Sequence, residues 1–184
     1  MARAFIFHGT AGYPEENWFP WLKAELEERG CRTIVPQFPT PDNQTLDNWL
    51  EVAGKHGEGM AGTPILIGHS LGGAFLLRLL ERGVKAKAAF LVATPIGIGN
   101  VKNRKTDGDF TDRPFDWKKI RENCPAFFVI QSDNDPYVPI ENGKALAKNL
   151  GVEMIFLPGC GHFNKAAGFA KFEFLLQKIE GVLD

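Results

Sequence analysis

The chain has 184 residues, of which 44% are hydrophobic and 23% are charged, and its formal net charge at pH 7 is −1. Such a chain suits one globular domain, and its weak net charge argues against a nucleic acid or an anionic membrane as partner. No apolar run approaches the ~18 residues that a membrane span needs, and the N-terminal run is too short for a signal peptide. The three cysteines lack metal-ligand spacing and are expected to be reduced thiols, which favours a cytoplasmic protein.

Short apolar strands alternate with amphipathic helices along the chain. Strands are expected near residues 4–7, 32–35, 64–68, 88–93, 126–130 and 153–157. Helices are expected near residues 18–29, 45–53, 74–83, 117–122, 140–150 and 169–182. Uniformly apolar strands separated by helices are typical of a parallel sheet covered on both faces. The sequence therefore predicts one α/β domain over residues 1–184, with a six-stranded, mainly parallel sheet.

The segment Gly68-His69-Ser70-Leu71-Gly72 lies where the third expected strand ends and a helix begins. In that context the glycine–x–serine–x–glycine pattern is typical of a tight turn with a nucleophilic serine at its apex. The serine oxygen would then lie at the positive N-terminus of the following helix. Ser70 is therefore the candidate nucleophile. The alternative is an ordinary glycine-rich turn in which Ser70 only caps the helix.

A serine hydroxyl needs a base to take its proton, and that base is usually a histidine. His162 follows the last strand in a Gly-Cys-Gly-His turn and is the only histidine downstream of Ser70. It is the candidate base, and the alternative is a loop histidine with a purely structural role. We expect His8 and His69 to support packing at the site and His56 to lie on the surface.

Two aspartates, Asp133 and Asp135, follow the penultimate strand. An acid in this place would fix the tautomer of the imidazole and stabilise its cation. The carboxyl ends of parallel strands meet at one edge of a sheet, so these aspartates should lie near Ser70 and His162. The residues by themselves leave both aspartates open as the orienting acid.

Hydrolysis of an acyl group also needs donors for the oxyanion of the tetrahedral intermediate. The backbone amide of Leu71, directly after the serine, is one candidate. The amide of Thr10, in the glycine loop after the first strand, is the other. The alternative for Thr10 is a simple glycine turn.

The segment 94–117 has no clear periodicity and follows the strand after the serine helix. It carries aromatic residues among charges, and we expect Phe110, Phe115 and Trp117 to form a minimal lid over Ser70. Such a lid would favour short acyl groups. The alternative is a surface loop whose aromatic residues pack on the core away from the site.

Several longer motifs together point to a known family: Phe7-His8-Gly9, Trp18-Phe19-Pro20-Trp21, Ile67-Gly68-His69-Ser70, the run 110–120, Asp135-Pro136-Tyr137-Val138-Pro139 and Cys160-Gly161-His162-Phe163. Over nearly its whole length the chain resembles small α/β-hydrolases of the family that includes retinoblastoma-binding protein 9 and bacterial YdeN-like serine hydrolases. The resemblance implies the α/β-hydrolase fold and Asp135 as the acid. A Leu-x-Cys-x-Glu motif is absent, so the retinoblastoma protein is not expected as a partner.

These features predict a serine hydrolase that cleaves small carboxylic esters or related acyl compounds through an acyl-enzyme, without metal or cofactor. An amidase or aminopeptidase-like hydrolase is the enzymatic alternative. A non-catalytic protein-binding module that keeps the fold is the alternative from another class.

Overall fold

A six-stranded sheet forms the centre of the protein in a computed structural model that describes residues 2–99 and 101–183. Its strands are β1 (Arg3–Phe7), β2 (Arg32–Ile34), β3 (Ile65–His69), β4 (Ala88–Val92), β5 (Phe127–Gln131) and β6 (Met154–Phe156). They lie in the order β2-β1-β3-β4-β5-β6, and each neighbouring pair is parallel. The predicted α/β class is confirmed, and the sheet is parallel throughout.

Helices connect these strands and cover the sheet. They are α1 (Phe19–Glu28), α2 (Leu46–Gly54), α3 (Gly57–Met60), α4 (Leu71–Glu81), α5 (Arg104–Thr111), α6 (Trp117–Asn123), α7 (Ile140–Leu150) and α8 (Glu173–Glu180). A short 3₁₀ helix, Lys165–Ala167, precedes α8. Among the residues described, none of the helices has both the length and the apolar character that a bilayer crossing requires.

The two faces of the sheet carry separate apolar clusters. Side chains of α1 and α8 cover one face, where Ala4 and Ile6 of β1 point. Side chains of α2, α4, α6 and α7 cover the other face, where Phe5 and Phe7 point. Successive side chains of a strand point to opposite faces, so a strand buried on both sides must be apolar at every position. This explains the unbroken apolar runs of the sequence.

The observed elements differ from the expected ones mainly in two places. Helix α5 lies inside the segment expected to be a loop; its composition is polar, and it is held by tertiary contacts rather than by helix propensity. Helix α8 begins at Glu173, so the apolar residues Phe169 and Phe172 precede it. They still pack together, with ring centroids 4.9 Å apart, which is why their spacing resembles a longer helix.

The strand order places the loops after β1 and β3 side by side. From β1 the chain passes to β2 on one side of the sheet and then returns to β3 on the other side. In open parallel sheets, ligands bind beyond the carboxyl ends of the strands at such a reversal of direction. The loop that starts at His8 and the turn at Ser70 leave the sheet at this point.

The three cysteines lie apart from each other as free thiols.

Candidate active site

Ser70 occupies a strained turn between β3 and α4. Its backbone has φ 55° and ψ −126°, a conformation that a residue with a side chain rarely adopts. Such strain costs about 1–3 kcal/mol and persists only where the surroundings enforce it. The Ser70 amide donates to the Val92 carbonyl at 2.9 Å, and the Gly73 amide donates to the Ser70 carbonyl at 2.9 Å. Neighbouring backbone therefore holds the serine in this turn.

The glycines around the serine are required by close packing of backbone. A Cβ on Gly68 would lie 2.5 Å from the Gly73 nitrogen, and a Cβ on Gly72 would overlap the Phe7 carbonyl of β1. A Cβ on Gly73 would overlap the side chain of Thr94. No side chain fits at these three positions, so β3, α4 and β1 approach each other closely enough to form the tight turn.

The loop after β1 runs directly beside the serine. A Cβ on Gly9 would lie 2.9 Å from the Ser70 Cβ and 3.2 Å from its Oγ. Thr10 follows Gly9 in this loop. Leu71 is the first residue of α4, and the amide of a first helical residue has no acceptor within the helix. Among the hydrogen bonds between described residues, neither the Thr10 amide nor the Leu71 amide is a donor. Thr10 and Leu71 therefore lie in the two segments that meet at the serine.

His162 and Asp135 form a hydrogen-bonded pair. The Nδ1 of His162 donates to Oδ2 of Asp135 at 2.7 Å, and only 8% of His162 is exposed. The other carboxylate oxygen, Oδ1, accepts the amides of Tyr137 at 2.8 Å and Val138 at 3.1 Å. Because Nδ1 carries the proton, Nε2 of the neutral ring is left as an acceptor.

The loop that carries His162 is held by the three residues before Asp135. The Oγ of Ser132 accepts the Cys160 amide at 3.0 Å, Oδ1 of Asp133 accepts the Gly159 amide at 2.8 Å, and Oδ1 of Asn134 accepts the Gly161 amide at 2.7 Å. The bond from Gly159 also keeps the pKa of Asp133 below its usual value. Of the two candidate acids, Asp135 contacts the histidine and Asp133 supports its loop. The roles of Ser132 and Asn134 were missed, although both lie in the same polar run.

His8 and His69 are buried histidines that support the site. Burial lowers the pKa of His69 to about 3, and its Nε2 donates to the His162 carbonyl at 2.7 Å. Burial also lowers the pKa of His8, whose Nε2 accepts the Phe38 amide at 3.0 Å while Nδ1 donates to the Gly9 carbonyl at 2.9 Å. His8 thus braces the loop that leads to Thr10. His56, expected on the surface, is partly buried.

A cleft of about 280 Å³ contains Ser70 and His162. Gly9, Thr10 and His69 also line it, together with polar side chains that the sequence analysis did not select: Glu16, Asn17, Asn103, Tyr137 and Asn164. Tyr137 and Asn164 each lie two positions beyond a predicted site residue, which was the available signal. The Tyr137 ring packs edge-on against His162 with centroids 4.8 Å apart. Larger cavities, of about 460 Å³, lie toward the amino ends of the strands and contain none of the predicted site residues.

The predicted lid aromatics do not lie at this cleft, which corrects the expectation for Phe110, Phe115 and Trp117. Phe110 is fully buried, with its ring 4.9 Å from that of Trp49. The Phe115 ring lies under the Arg78 guanidinium at 3.8 Å and 5.0 Å from the Trp117 ring. The sequence predicts that these aromatic residues are buried. They are buried against Trp49 of α2 and Arg78 of α4, on the core side of the segment, and not against the cleft.

The segment reaches the cleft instead through its middle. Asn103, the residue before α5, lines the cleft wall. Next to it, the Lys102 ammonium lies 4.6 Å from the centroid of the Tyr137 ring, a favourable cation–π contact. The rim of the cleft is therefore polar on this side. Asn100, within the same segment, is outside the described residues.

Substituting Phe110 with alanine is expected to lower the free energy of unfolding by about 3–5 kcal/mol, because a fully buried ring is lost. The preference among ester chain lengths should stay unchanged, since the ring does not contact the cleft. Urea unfolding and kcat/KM across esters from acetate to laurate measure the two effects. A shift of the preferred length toward longer chains in a folded Phe110→Ala protein would restore the lid interpretation.

The carboxyl group of Glu16, in the cleft wall, has an unusually high pKa. Burial raises its pKa from 4.5 to about 7, against the smaller effect of the Tyr13 amide. The unfolded chain releases this proton near pH 4.5 and the folded protein near pH 7. The contribution of this proton to the free energy of unfolding is therefore fully present below pH 4.5 and is lost as the pH rises through about 7.

Glu16→Gln removes this titration, so the variant should gain stability relative to the wild type as the pH increases. Between pH 5 and 8 we expect the difference in unfolding free energy to grow by about 1–2 kcal/mol after allowance for solvent screening. Urea unfolding at each pH measures it, with Glu15→Gln on the exposed neighbouring residue as control. Parallel pH profiles for Glu16→Gln and wild type would contradict the assignment.

Known proteins are similar to this chain in sequence and in fold. A family model described as serine hydrolase matches residues 4–180. YdeN of Bacillus subtilis is 29% identical over 168 residues, which are 91% of this chain and 88% of that protein. The serine hydrolase RBBP9 of Rattus norvegicus is 26% identical over 184 residues, or 98% of this chain and 95% of the relative.

The crystal structure of the B. subtilis ydeN product superposes with a TM-score of 0.90 at 26% identity, covering 99% of this chain and 98% of that one. The family predicted from the sequence motifs is thereby confirmed. With its serine at a strained strand–helix turn and a model match across nearly its whole length, the chain belongs to the serine hydrolase family of α/β-hydrolases.

Proposed function

We propose that the protein hydrolyses small carboxylic esters or related acyl compounds, with Ser70 as nucleophile, His162 as general base and Asp135 as orienting acid. The observation that carries this proposal is the arrangement of one cleft. It holds a serine in a strained turn together with a histidine whose Nδ1 is bound to a carboxylate at 2.7 Å. A structural role alone would not require the strain at Ser70.

The first half of the reaction follows from the tautomer of His162. Its Nε2 accepts the proton of Ser70 Oγ while Oγ attacks the acyl carbonyl carbon. The carbonyl electron pair moves to oxygen, and the amides of Thr10 and Leu71 donate to the resulting oxyanion. When the intermediate collapses, the bond to the leaving oxygen breaks and the imidazolium returns its proton to the leaving alcohol.

The second half uses the same groups with water as the nucleophile. His162 accepts a proton from water, and the hydroxide attacks the acyl-enzyme carbonyl. Collapse then releases the carboxylic acid and restores the Ser70 hydroxyl. Asp135 keeps its charge throughout and stabilises the imidazolium. The two hydrogen bonds that it accepts from the amides of Tyr137 and Val138 hold the carboxylate in place.

The size and polarity of the cleft favour short and polar acyl groups. Its volume of about 280 Å³ lies below the usual range of ligand pockets, about 300–1,000 Å³. Its wall contains one carboxyl side chain and three carboxamide side chains, those of Glu16, Asn17, Asn103 and Asn164. A long acyl chain would find little apolar surface there, so specificity should be highest for short chains.

Labelling with a fluorophosphonate tests the proposal. The wild-type protein should form a covalent adduct, and peptide mass spectrometry should locate it on Ser70. A panel of esters from acetate to laurate should show turnover with the highest kcat/KM at short chains. An adduct on another serine would contradict the proposal. The absence of any adduct together with the absence of turnover of every ester would also contradict it. A maximum at laurate would contradict the short-chain assignment alone.

A further inference from the structure

A buried carboxylate on α5 binds the loop that carries the proposed oxyanion donor. Asp107 is 3% exposed, and donor atoms of three side chains lie within hydrogen-bond distance of its Oδ1. These are Thr10 Oγ1 at 2.6 Å, Gln44 Nε2 at 3.0 Å and Thr106 Oγ1 at 3.1 Å. Burial raises the pKa of this carboxyl group.

Burying a carboxylate is unfavourable, so the retention of Asp107 in this place needs a reason. The shortest of its three bonds joins two segments that lie 97 positions apart in the chain. One is the helix α5, and the other is the loop in which Gly9 packs against Ser70. The carboxylate thus connects the side chain of Thr10, whose amide is the proposed oxyanion donor, to the helix α5.

The same network holds the next residue of the loop. The Ala11 amide donates to Thr40 Oγ1 at 2.6 Å, and the Thr40 hydroxyl donates to Oε1 of Gln44. Gln44 Nε2 in turn contacts Thr10 Oγ1 at 3.3 Å and Asp107. Ala11 has a φ of 56°, which the loop keeps only while such contacts enforce it. Both residues that follow Gly9 are therefore anchored by side chains from other segments of the chain.

We propose that Asp107 is a positioning residue, which acts through the Thr10 hydroxyl to aim the Thr10 amide at the oxyanion of the transition state. This inference rests on the proposed function. It assigns to the segment 101–111 the control of transition-state stabilisation rather than the covering of the substrate. A donor is effective only when it already lies where the negative charge develops, so a displacement of the loop lowers the rate.

The Thr10→Val variant tests this inference because it keeps the side-chain volume and removes the hydroxyl that Asp107 binds. We expect kcat for a short ester to fall about 10- to 100-fold, with KM within about twofold of wild type. Affinity for a small alkylboronic acid, which forms a tetrahedral adduct on the serine, should fall in parallel. Thr10→Ser retains a hydroxyl and should recover most of the rate.

Thr106→Val is the matched control. It removes another hydroxyl, which lies 3.1 Å from the same carboxylate oxygen and 2.9 Å from the Asn103 carbonyl, and Thr106 is not part of the loop beside Ser70. It should keep kcat within about twofold. Asp107→Asn preserves an acceptor oxygen and should also stay near wild type, whereas Asp107→Ala should lose as much as Thr10→Val. Thermal unfolding of each variant separates loss of fold from loss of rate.

Unchanged kcat in Thr10→Val, an equal loss in Thr106→Val, or a loss confined to KM would overturn the inference while leaving the hydrolase proposal intact. Fluorophosphonate labelling of the wild-type protein at Ser70 separates the two. If Ser70 is labelled and Thr10→Val is unaffected, the inference about Asp107 fails alone. If the wild type is neither labelled nor active, both proposals fail.

Discussion

Ser70→Ala and His162→Gln are each expected to lower kcat by about 10⁶-fold, and the double variant should be no slower than either. The two side chains act on one proton, so removing either one removes the whole nucleophilic step. Remaining turnover would come from binding and from the amides of Thr10 and Leu71. Steady-state hydrolysis of a short ester measures all three variants, and the serine variant should also lose fluorophosphonate labelling.

Circular dichroism and thermal unfolding serve as the control, because they show whether each variant keeps the fold. Alanine is also the smallest residue with a Cβ, and it places no new atoms in the strained turn at φ 55°. Losses that multiply in the double variant would mean that the serine and the histidine act in separate steps. Activity near wild type in either single variant would remove that residue from the mechanism.

Asp135→Asn is expected to lower kcat by about 10⁴-fold, whereas Asp133→Asn should stay within about tenfold of wild type. An amide at position 135 offers its NH₂ or a neutral oxygen to Nδ1 and favours the wrong tautomer of His162. At position 133 an asparagine oxygen still accepts the Gly159 amide, so the histidine loop keeps its support.

The two aspartates differ by two positions and lie after the same strand, which makes each the matched control for the other. Hydrolysis rates of the two variants at saturating ester decide between them. If Asp133→Asn shows the larger loss, the orienting acid is Asp133, and the bond of 2.7 Å between Asp135 and His162 has only a structural role.

The sequence by itself determined the fold class and the main site candidates, because both depend on local patterns. Apolar runs without alternation predicted a parallel sheet, and such a sheet brings its carboxyl ends to one edge. Ser70, His162 and the aspartates each lie in the turn or loop that follows a strand, so their shared location follows from the topology. The choice of Asp135 rested on resemblance to a family, since two acids beside one strand end have the same local pattern.

Only the tertiary structure decided which surface the segment 94–117 covers. Its aromatic residues predicted burial, but the surface that buries Phe110 and Phe115 is formed by Trp49 and Arg78 from other elements. Thr10 and Asp107 are hydrogen-bonded although they lie 97 positions apart in the sequence. Neither the periodicity of the sequence nor the residues next to them predicts this contact. Periodicity records which residues are buried within an element, whereas contacts between distant segments depend on how the elements pack.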